Sequence, residues 1–556
     1  MKLSQTIFIL VFTGILISNN LNGQISHRGK PYTYANAFLK SMQTANTVHL
    51  NVIDNNKEKK LADSIGEHNG IAPNRFYGKG IDVDIDIKEK TSPVLLSNGN
   101  NLWLYNVKSE NAYAMQFYFD KFRLPAGATL YFYNEEKDMV LGAFTKDNNN
   151  NNLDFGTQFI KGQSIFIEYT EPANPEFKGE LHIDKAVHVF RDLFKSGPWG
   201  SSETCNIDVS CSLGYDWRKE IASVALILSY DKFWDLASWC SGVLLNNTRN
   251  DGKGYFLTAK HCGDTTRIPE GYSRQRFDYS TWVFLFNYED TVCSDAKSIN
   301  FPITSVYGAS LLAADGNGSL TSDYLLLKLN ATKDELASIG AVYAGWEINE
   351  SNALSSPNAV CIHHPSGDVE KISKDNHSPV SADYGNGPYF WQLTWDSGTT
   401  EPVSSGAPLF NSDHRVIGQL YAGDADCSNP TGNDYFGKFS LSWTSGNFAQ
   451  WLDPANSSTT FVDTYQPNSK PSMVRDNQFL INPNPSYGIF HIGFTSRSIS
   501  GSLSIKIYNS IGQLIKQFTQ TILVNNEIDL SNERKGLYLI QIETSEGIDV
   551  EKVLIF

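Results

Sequence analysis

His261, Asp323 and Ser405 are the residues on which a chemistry can be built. They lie in Thr258-Ala259-Lys260-His261-Cys262, in Thr321-Ser322-Asp323-Tyr324-Leu325-Leu326-Leu327 and in Ser404-Ser405-Gly406-Ala407-Pro408, in the chain order His, Asp, Ser. A serine hydroxyl is inert at neutral pH until a base takes its proton during attack. Imidazole titrates near the working pH and can return that proton to a leaving amine. A carboxylate on the other ring nitrogen fixes the tautomer and stabilises the imidazolium. The set is suited to hydrolytic acyl transfer. Gly406 permits a tight turn that exposes the hydroxyl. Backbone N–H groups of Val403 and Ser405 would form an oxyanion hole, each donor being worth roughly 3 kcal/mol in the transition state. Taken singly, each stretch reads equally well as a strand end or a turn. Their order within one segment carries the reading.

Distant residues meet only if strands position them. Asp323 opens the apolar run Tyr324–Leu329, which predicts a strand that buries its surroundings. Short apolar strands are expected at Ala222–Leu228, Gly242–Leu245, Tyr255–Thr258, Trp282–Phe286 and Val416–Leu420. Richness in Gly, Asn, Ser and aromatics fits many strands joined by turns, so an all-β class is expected. At 556 residues the chain must form several domains. Residues 1–23 pair Lys2 with the apolar run Ile7–Ile17, too short to span a bilayer comfortably, and read as a secretory signal peptide. Residues 24–195 are polar and broken up to about residue 75, with a helix-like patch at Ala35–Met42. They then alternate through Leu102–Val107, Met115–Phe119 and Thr129–Tyr133. That predicts a β-sandwich, read as a pro-domain, with a carbohydrate-binding module as the rival. Residues 196–465 form the unit holding all three motifs. A Pro/Ser/Asn-rich linker follows at 466–477, and 478–556 is a small β-sandwich with strands at Ile489–Phe494, Ser504–Tyr508 and Leu537–Ile542.

A net charge of −15 argues against nucleic acid as a partner. Export implies an oxidising compartment, so cysteines can be read as bridges. All seven lie between Cys205 and Cys427, and Cys361, in an apolar run, is the odd one out. The other six allow fifteen pairings. His363-His364-Pro365 is not part of a helix-borne His-Glu-x-x-His, so neither a metal site nor a cofactor is expected.

The central segment resembles bacterial lysyl endopeptidase. The resemblance rests on Cys205-Asn206-Ile207-Asp208-Val209, Leu245-Asn246-Asn247-Thr248, Tyr255 to Gly263, Ile362-His363-His364-Pro365, Thr400-Glu401-Pro402 and Trp451-Leu452-Asp453-Pro454-Ala455. It implies a two-barrel chymotrypsin-like fold that cleaves after lysine. It also implies bridges Cys205–Cys427, Cys211–Cys293 and Cys240–Cys262, and an acidic pocket base at Asp434. A carboxylate desolvated in a pocket selects a basic side chain. Asp424 and Asp426 are nearby rivals. The chain departs from the pattern at Val403, where the family has glycine, and at Tyr384 and Tyr421, where the family stacks tryptophan and histidine. Ser404 stands where vertebrate relatives of this type carry an aspartate that pairs with a freed N-terminus. A different switch is therefore expected, namely inhibition by the N-terminal domain until a cut near Lys195.

Asn482-Pro483-Asn484-Pro485-Ser486, Gly512-Gln513-Leu514, Lys535-Gly536-Leu537-Tyr538 and the terminal Glu551–Phe556 resemble the type A sorting domain of type IX secretion. That implies passage through the periplasm and across the outer membrane by the outer-membrane secretion machinery. The expectation is a secreted, monomeric, zymogen-like serine endopeptidase acting on proteins or peptides with lysine at the cleaved position. The alternatives are an arginine-preferring or broad trypsin-like enzyme, and a catalytically inactive adhesin or binding protein on the same fold.

Overall fold

The computed structural model describes residues 30–35, 47–68, 74–89, 92–150, 152–193, 202–263, 277–290, 293, 304–315, 322–355, 357–383, 389–467 and most of 479–555. The expected signal peptide, most of the helix-like patch, Lys195 and most of the linker lie outside them. The chain divides into two compact units, 1–468 and 469–556.

Within the first unit the apolar hairpin Val224–Asp231 and Leu236–Leu245 is buried along its whole length. Its strands pair from Val224↔Val243 to Asp231↔Leu236. Val283–Phe286 and then Thr304–Tyr307 extend the sheet on one side; on the other lie Tyr255–Ala259, Tyr324–Leu329 and Ala309–Ala314. A second antiparallel sheet begins with Lys371–Asp375, Ala359–His363 and Pro408–Phe410, and continues through Arg415–Gly423, Asp434–Lys438 and Phe390–Leu393. A core containing Val243, Leu257 and Tyr324 from the first sheet and Ile362, Ile372, Phe410 and Val416 from the second joins them. The molecule is all-β, with the two β halves that the chymotrypsin type has.

The N-terminal region has the expected strands, at Asn101–Lys108, Ala114–Arg123 and Thr129–Asn134. It is not a free-standing sandwich. Its strand Phe76–Asp86 adds to the edge of Leu236–Leu245, pairing Leu236↔Lys79, Ala237↔Gly78 and Ser238↔Phe76. One apolar core then runs through Phe117, Phe132 and Ile167 into Leu226, Leu228, Trp239 and Val403. Sequence reading overlooked the helix Asn55–His68. Its signature is a cap rather than a stripe: Asp54 Oδ1 accepts the N–H groups of Asn56 and Lys57, and only Ala62 and Gly66 are buried.

The bridges are Cys205–Cys427, Cys211–Cys293 and Cys240–Cys262, the pairing that the resemblance implies, and Cys361 is free and buried. The second unit has a sheet of Phe479–Asn482, Ile489–Phe494 and Asn526–Asp529, and another of Leu514–Thr521, Ser502–Asn509, Gly536–Thr544 and Gly547–Ile555. Phe490, Ile505, Ile540 and Val553 lie in its core.

Candidate active site

Two strand ends bring His261 to Asp323. Tyr255–Ala259 pairs with Tyr324–Leu329 so that Ala259 faces Tyr324, which leaves the turn Lys260–Cys262 beside the residue before that strand. Lys260 N–H donates to the Asp323 carbonyl at 2.8 Å. Asp323 Oδ1 accepts the His261 N–H at 3.1 Å, and Oδ2 lies 2.6 Å from His261 Nδ1. The carboxylate therefore grips both backbone and ring, which fixes the imidazole's orientation. Asp323 has φ +58° and is 7% exposed; its own N–H donates to the buried Asp315 carboxylate at 2.7 Å. Asp315 was not singled out from sequence, because a lone acid carries no pattern. Cys240–Cys262 ties the turn to the neighbouring strand.

Ser405 arrives from the other half, on the turn before Pro408–Phe410. Its carbonyl accepts the Ser241 N–H at 2.9 Å and lies 3.7 Å from Cys262 Sγ, next to His261. Gly406 has φ +82°, and a Cβ there would sit 2.1 Å from Thr258 Oγ1, so only glycine fits. The amides of this turn nearly all have acceptors. Glu401 N–H donates to Ser404 Oγ, Ser404 N–H to the Glu401 carbonyl, Gly406 N–H to Leu420 and Ala407 N–H to Ser404. Pro402 has no N–H. Among the described residues, the N–H groups of Val403 and Ser405 alone in this turn lack an acceptor. Unbonded amides are rarely left at a buried turn without a ligand to meet. Val403 occupies φ +84°, a conformation that a β-branched residue seldom takes, and is 2% exposed. Its carbonyl accepts Ser241 Oγ–H at 3.1 Å. Ser241 thus clamps both sides of the turn, a role with no sequence signature.

Asp434 is fully buried, paired across its strand with Leu393 on one side and Gly423 on the other. Oδ2 accepts Trp395 Nε1–H at 2.6 Å and Thr400 Oγ1–H at 2.7 Å. Oδ1 has no well-made hydrogen bond. Burial raises the carboxyl to about 6, against the hydrogen bonds from Thr400 and Trp395 that lower it. A Cβ on Gly423 would lie 1.7 Å from Oδ1, so only glycine fits beside that oxygen. The rivals differ. Asp424 is exposed, and Asp426 spends its carboxylate on the N–H groups of Ser428 and Asn429 in its own turn. Tyr421 stacks on Phe390 at 4.9 Å and approaches the His261 ring edge-on at 6.1 Å, linking the Asp434 strands to the histidine. Tyr384 lies outside the described residues.

Comparison with known proteins gives the following. Residues 199–437 match the family model of the lysyl endopeptidase C-terminal domain, and residues 480–556 match the secretion system C-terminal sorting domain. A lysyl endopeptidase of Pseudomonas aeruginosa is 29% identical over 307 residues, which is 52% of this chain and 62% of that protein. The chain thus spans less than two thirds of that relative's length. Among solved structures, the thermostable serine protease AL20 from an extremophilic microorganism is 14% identical, with 42% of this chain and 98% of that one covered and a TM-score of 0.29. The Rv3671c protease of M. tuberculosis is 12% identical, with 46% and 88% covered and a TM-score of 0.27. Over its central segment the chain is similar to lysyl endopeptidases, and over its last residues it carries a secretion-system sorting domain, which marks it as an exported protein.

Proposed function

We propose that this protein is a secreted or cell-surface serine endopeptidase that cleaves on the carboxyl side of basic residues, lysine foremost. The observation that carries the reading is the His261–Asp323 contact of 2.6 Å beside a serine turn with two unbonded amides. Ser405 Oγ attacks the scissile carbonyl while His261 Nε2 takes its proton. Asp323 holds the imidazolium so formed. The amides of Val403 and Ser405 receive the oxyanion, and His261 passes the proton to the leaving amine. Water then repeats the sequence to release the acyl group. The specificity rests on the buried Asp434 carboxylate, whose Oδ1 has no well-made hydrogen bond and whose charge a substrate cation would balance. A lysine ammonium is a compact point charge and suits one oxygen; a guanidinium prefers two in a fork.

Reaction of the purified protein with a fluorophosphonate tests the chemistry. Adduct at Ser405, lost in His261→Ala, is the expected result; a folded protein that takes no label would point to the inactive binding protein instead. We read residues 24–195 as a pro-domain whose cleavage from the protease near Lys195 relieves inhibition. Full activity of the uncut precursor would contradict that part.

A further inference from the structure

His363 entered the sequence reading as a discounted metal candidate and as part of the stretch Ile362-His363-His364-Pro365 that carries the resemblance, with no role assigned, and the proposed mechanism does not use it. It is fully buried in the last position of the strand Ala359–His363, directly behind the nucleophile turn. Its Nδ1 lies 2.7 Å from Ser404 Oγ and its Nε2 lies 3.1 Å from Ser373 Oγ. The proton positions in this chain follow from its two ends. Ser373 Oγ–H donates to the Thr399 carbonyl at 2.6 Å, and a carbonyl can only accept. Ser373 must then accept from Nε2–H, which leaves Nδ1 bare to accept Ser404 Oγ–H. Ser404 Oγ in turn accepts the Glu401 N–H at 3.2 Å. Burial lowers the imidazole to about 3, so the ring stays neutral and this single tautomer holds at every working pH.

The chain runs from the Glu401 amide to the Thr399 carbonyl. It braces the loop whose amides at 403 and 405 lack acceptors, and it adjoins the Ser241 clamp, since the His364 N–H donates to Ser241 Oγ at 3.0 Å. We infer that His363, acting through Ser404, is a positioning residue that sets the oxyanion-binding conformation of the loop 399–405. It does the work that an ion pair at the residue before the nucleophile does in vertebrate relatives, with a neutral histidine from the strand behind. Ser366 adds a second hold, its N–H on the Pro402 carbonyl at 2.7 Å and its Oγ on Glu401 Oε2 at 2.7 Å.

This inference rests on the endopeptidase reading, and the test separates the two. The protein, expressed as the full chain and purified after secretion, is compared with His363→Phe, Ser404→Ala, the double variant and Ser405→Ala. Phenylalanine keeps the ring volume and removes both hydrogen bonds. Turnover of a lysyl amide, affinity for a peptidyl aldehyde and affinity for an alkylamine are measured. The aldehyde needs the oxyanion site; the amine needs only the acidic pocket. We expect kcat to fall about 100-fold in each single variant, the size of one lost oxyanion donor, with KM moving less than about threefold. Aldehyde affinity should fall by a similar factor and amine affinity stay put. The double variant should be no worse than either single. Unchanged kcat, or aldehyde and amine affinities that weaken together, would overturn the inference while leaving the protease reading intact. No Ser405-dependent turnover in wild type would sink both.

Discussion

The two sides of the proposed site are built by different means. On one side, side-chain charge does the positioning: Asp323 holds His261 through two oxygens, Asp315 holds the Asp323 amide, and a disulfide pins the turn. On the other, uncharged hydrogen bonds do it, from backbone and from neutral side chains. The serine turn is held by Ser241, Leu420 and the His363 chain, leaving two amides open. A charge-positioned group fails when its partner is neutralised, whereas a turn held by neutral hydrogen bonds is insensitive to charge and fails only when a bond that sets its shape is lost. Val403 illustrates the second case, because it adopts the positive φ that glycine would take.

The sharpest break falls on the first side. Asp323→Asn should lower kcat about 10⁴-fold near neutral pH, since an amide can favour the wrong imidazole tautomer, with KM nearly unchanged. A loss under tenfold in steady-state kinetics would mean that Asp323 does not orient the ring. Next comes the pocket. Asp434→Asn should cost about 10³-fold in kcat/KM for lysyl substrates and far less for uncharged ones. In wild type, alkylamine affinity should weaken as pH falls through about 6, where Oδ1 takes a proton, and the variant should show no such limb. The sign for stability runs the other way. The folded carboxyl is raised from 3.8 to about 6, so its ionisation opposes folding above about 6, and that opposition is gone below the unfolded value. Melting temperatures across pH should therefore show Asp434→Asn gaining on wild type above about pH 6, by on the order of 2 kcal/mol, and losing that gain by about pH 4.

The paired change Cys240→Ser and Cys262→Ser should lower unfolding free energy by about 3 kcal/mol in denaturant titration. It should reduce turnover through the His261 turn more than through affinity for an alkylamine. The smallest effect is expected at Val403→Gly. Relief of the strained φ and loss of a buried side chain oppose each other, so stability should fall by about 1–2 kcal/mol and kcat shift less than about threefold. A 100-fold rise in kcat would show that the valine closes the oxyanion site, and would erase the contrast between the two sides.

The all-β class, the strands carrying His261 and Asp323, and the free Cys361 were legible in the residues themselves, because buried strands leave runs such as Tyr324–Leu329 and the motifs sit at their ends. The bridge pairing and Asp434 came only through resemblance, since spacing alone leaves fifteen pairings and several acids open. Ser241, Asp315 and Trp395 were not legible at all, and His363 was noticed without its role. Ser241, Trp395 and His363 act through hydrogen bonds to residues far along the chain, as Ser241 does to Val403 over 162 residues, and Asp315 acts across a short loop that leaves no periodic pattern. Nor did the sequence hint that the N-terminal region shares a core with the protease half. Strand Phe76–Asp86 alternates like an exposed edge, and its partner Leu236–Leu245 gives no sign of which strand will cover it.

The measurement closest to the central claim is product-end mapping by mass spectrometry. A mixed protein digest is incubated with the matured wild type and with Ser405→Ala, and every new terminus is read. New carboxyl ends at lysine, or at lysine with a minority at arginine, that vanish in the variant are the predicted result. Cuts without preference for a basic residue would contradict the role given to Asp434, and no Ser405-dependent cuts from folded, matured protein would contradict the endopeptidase itself.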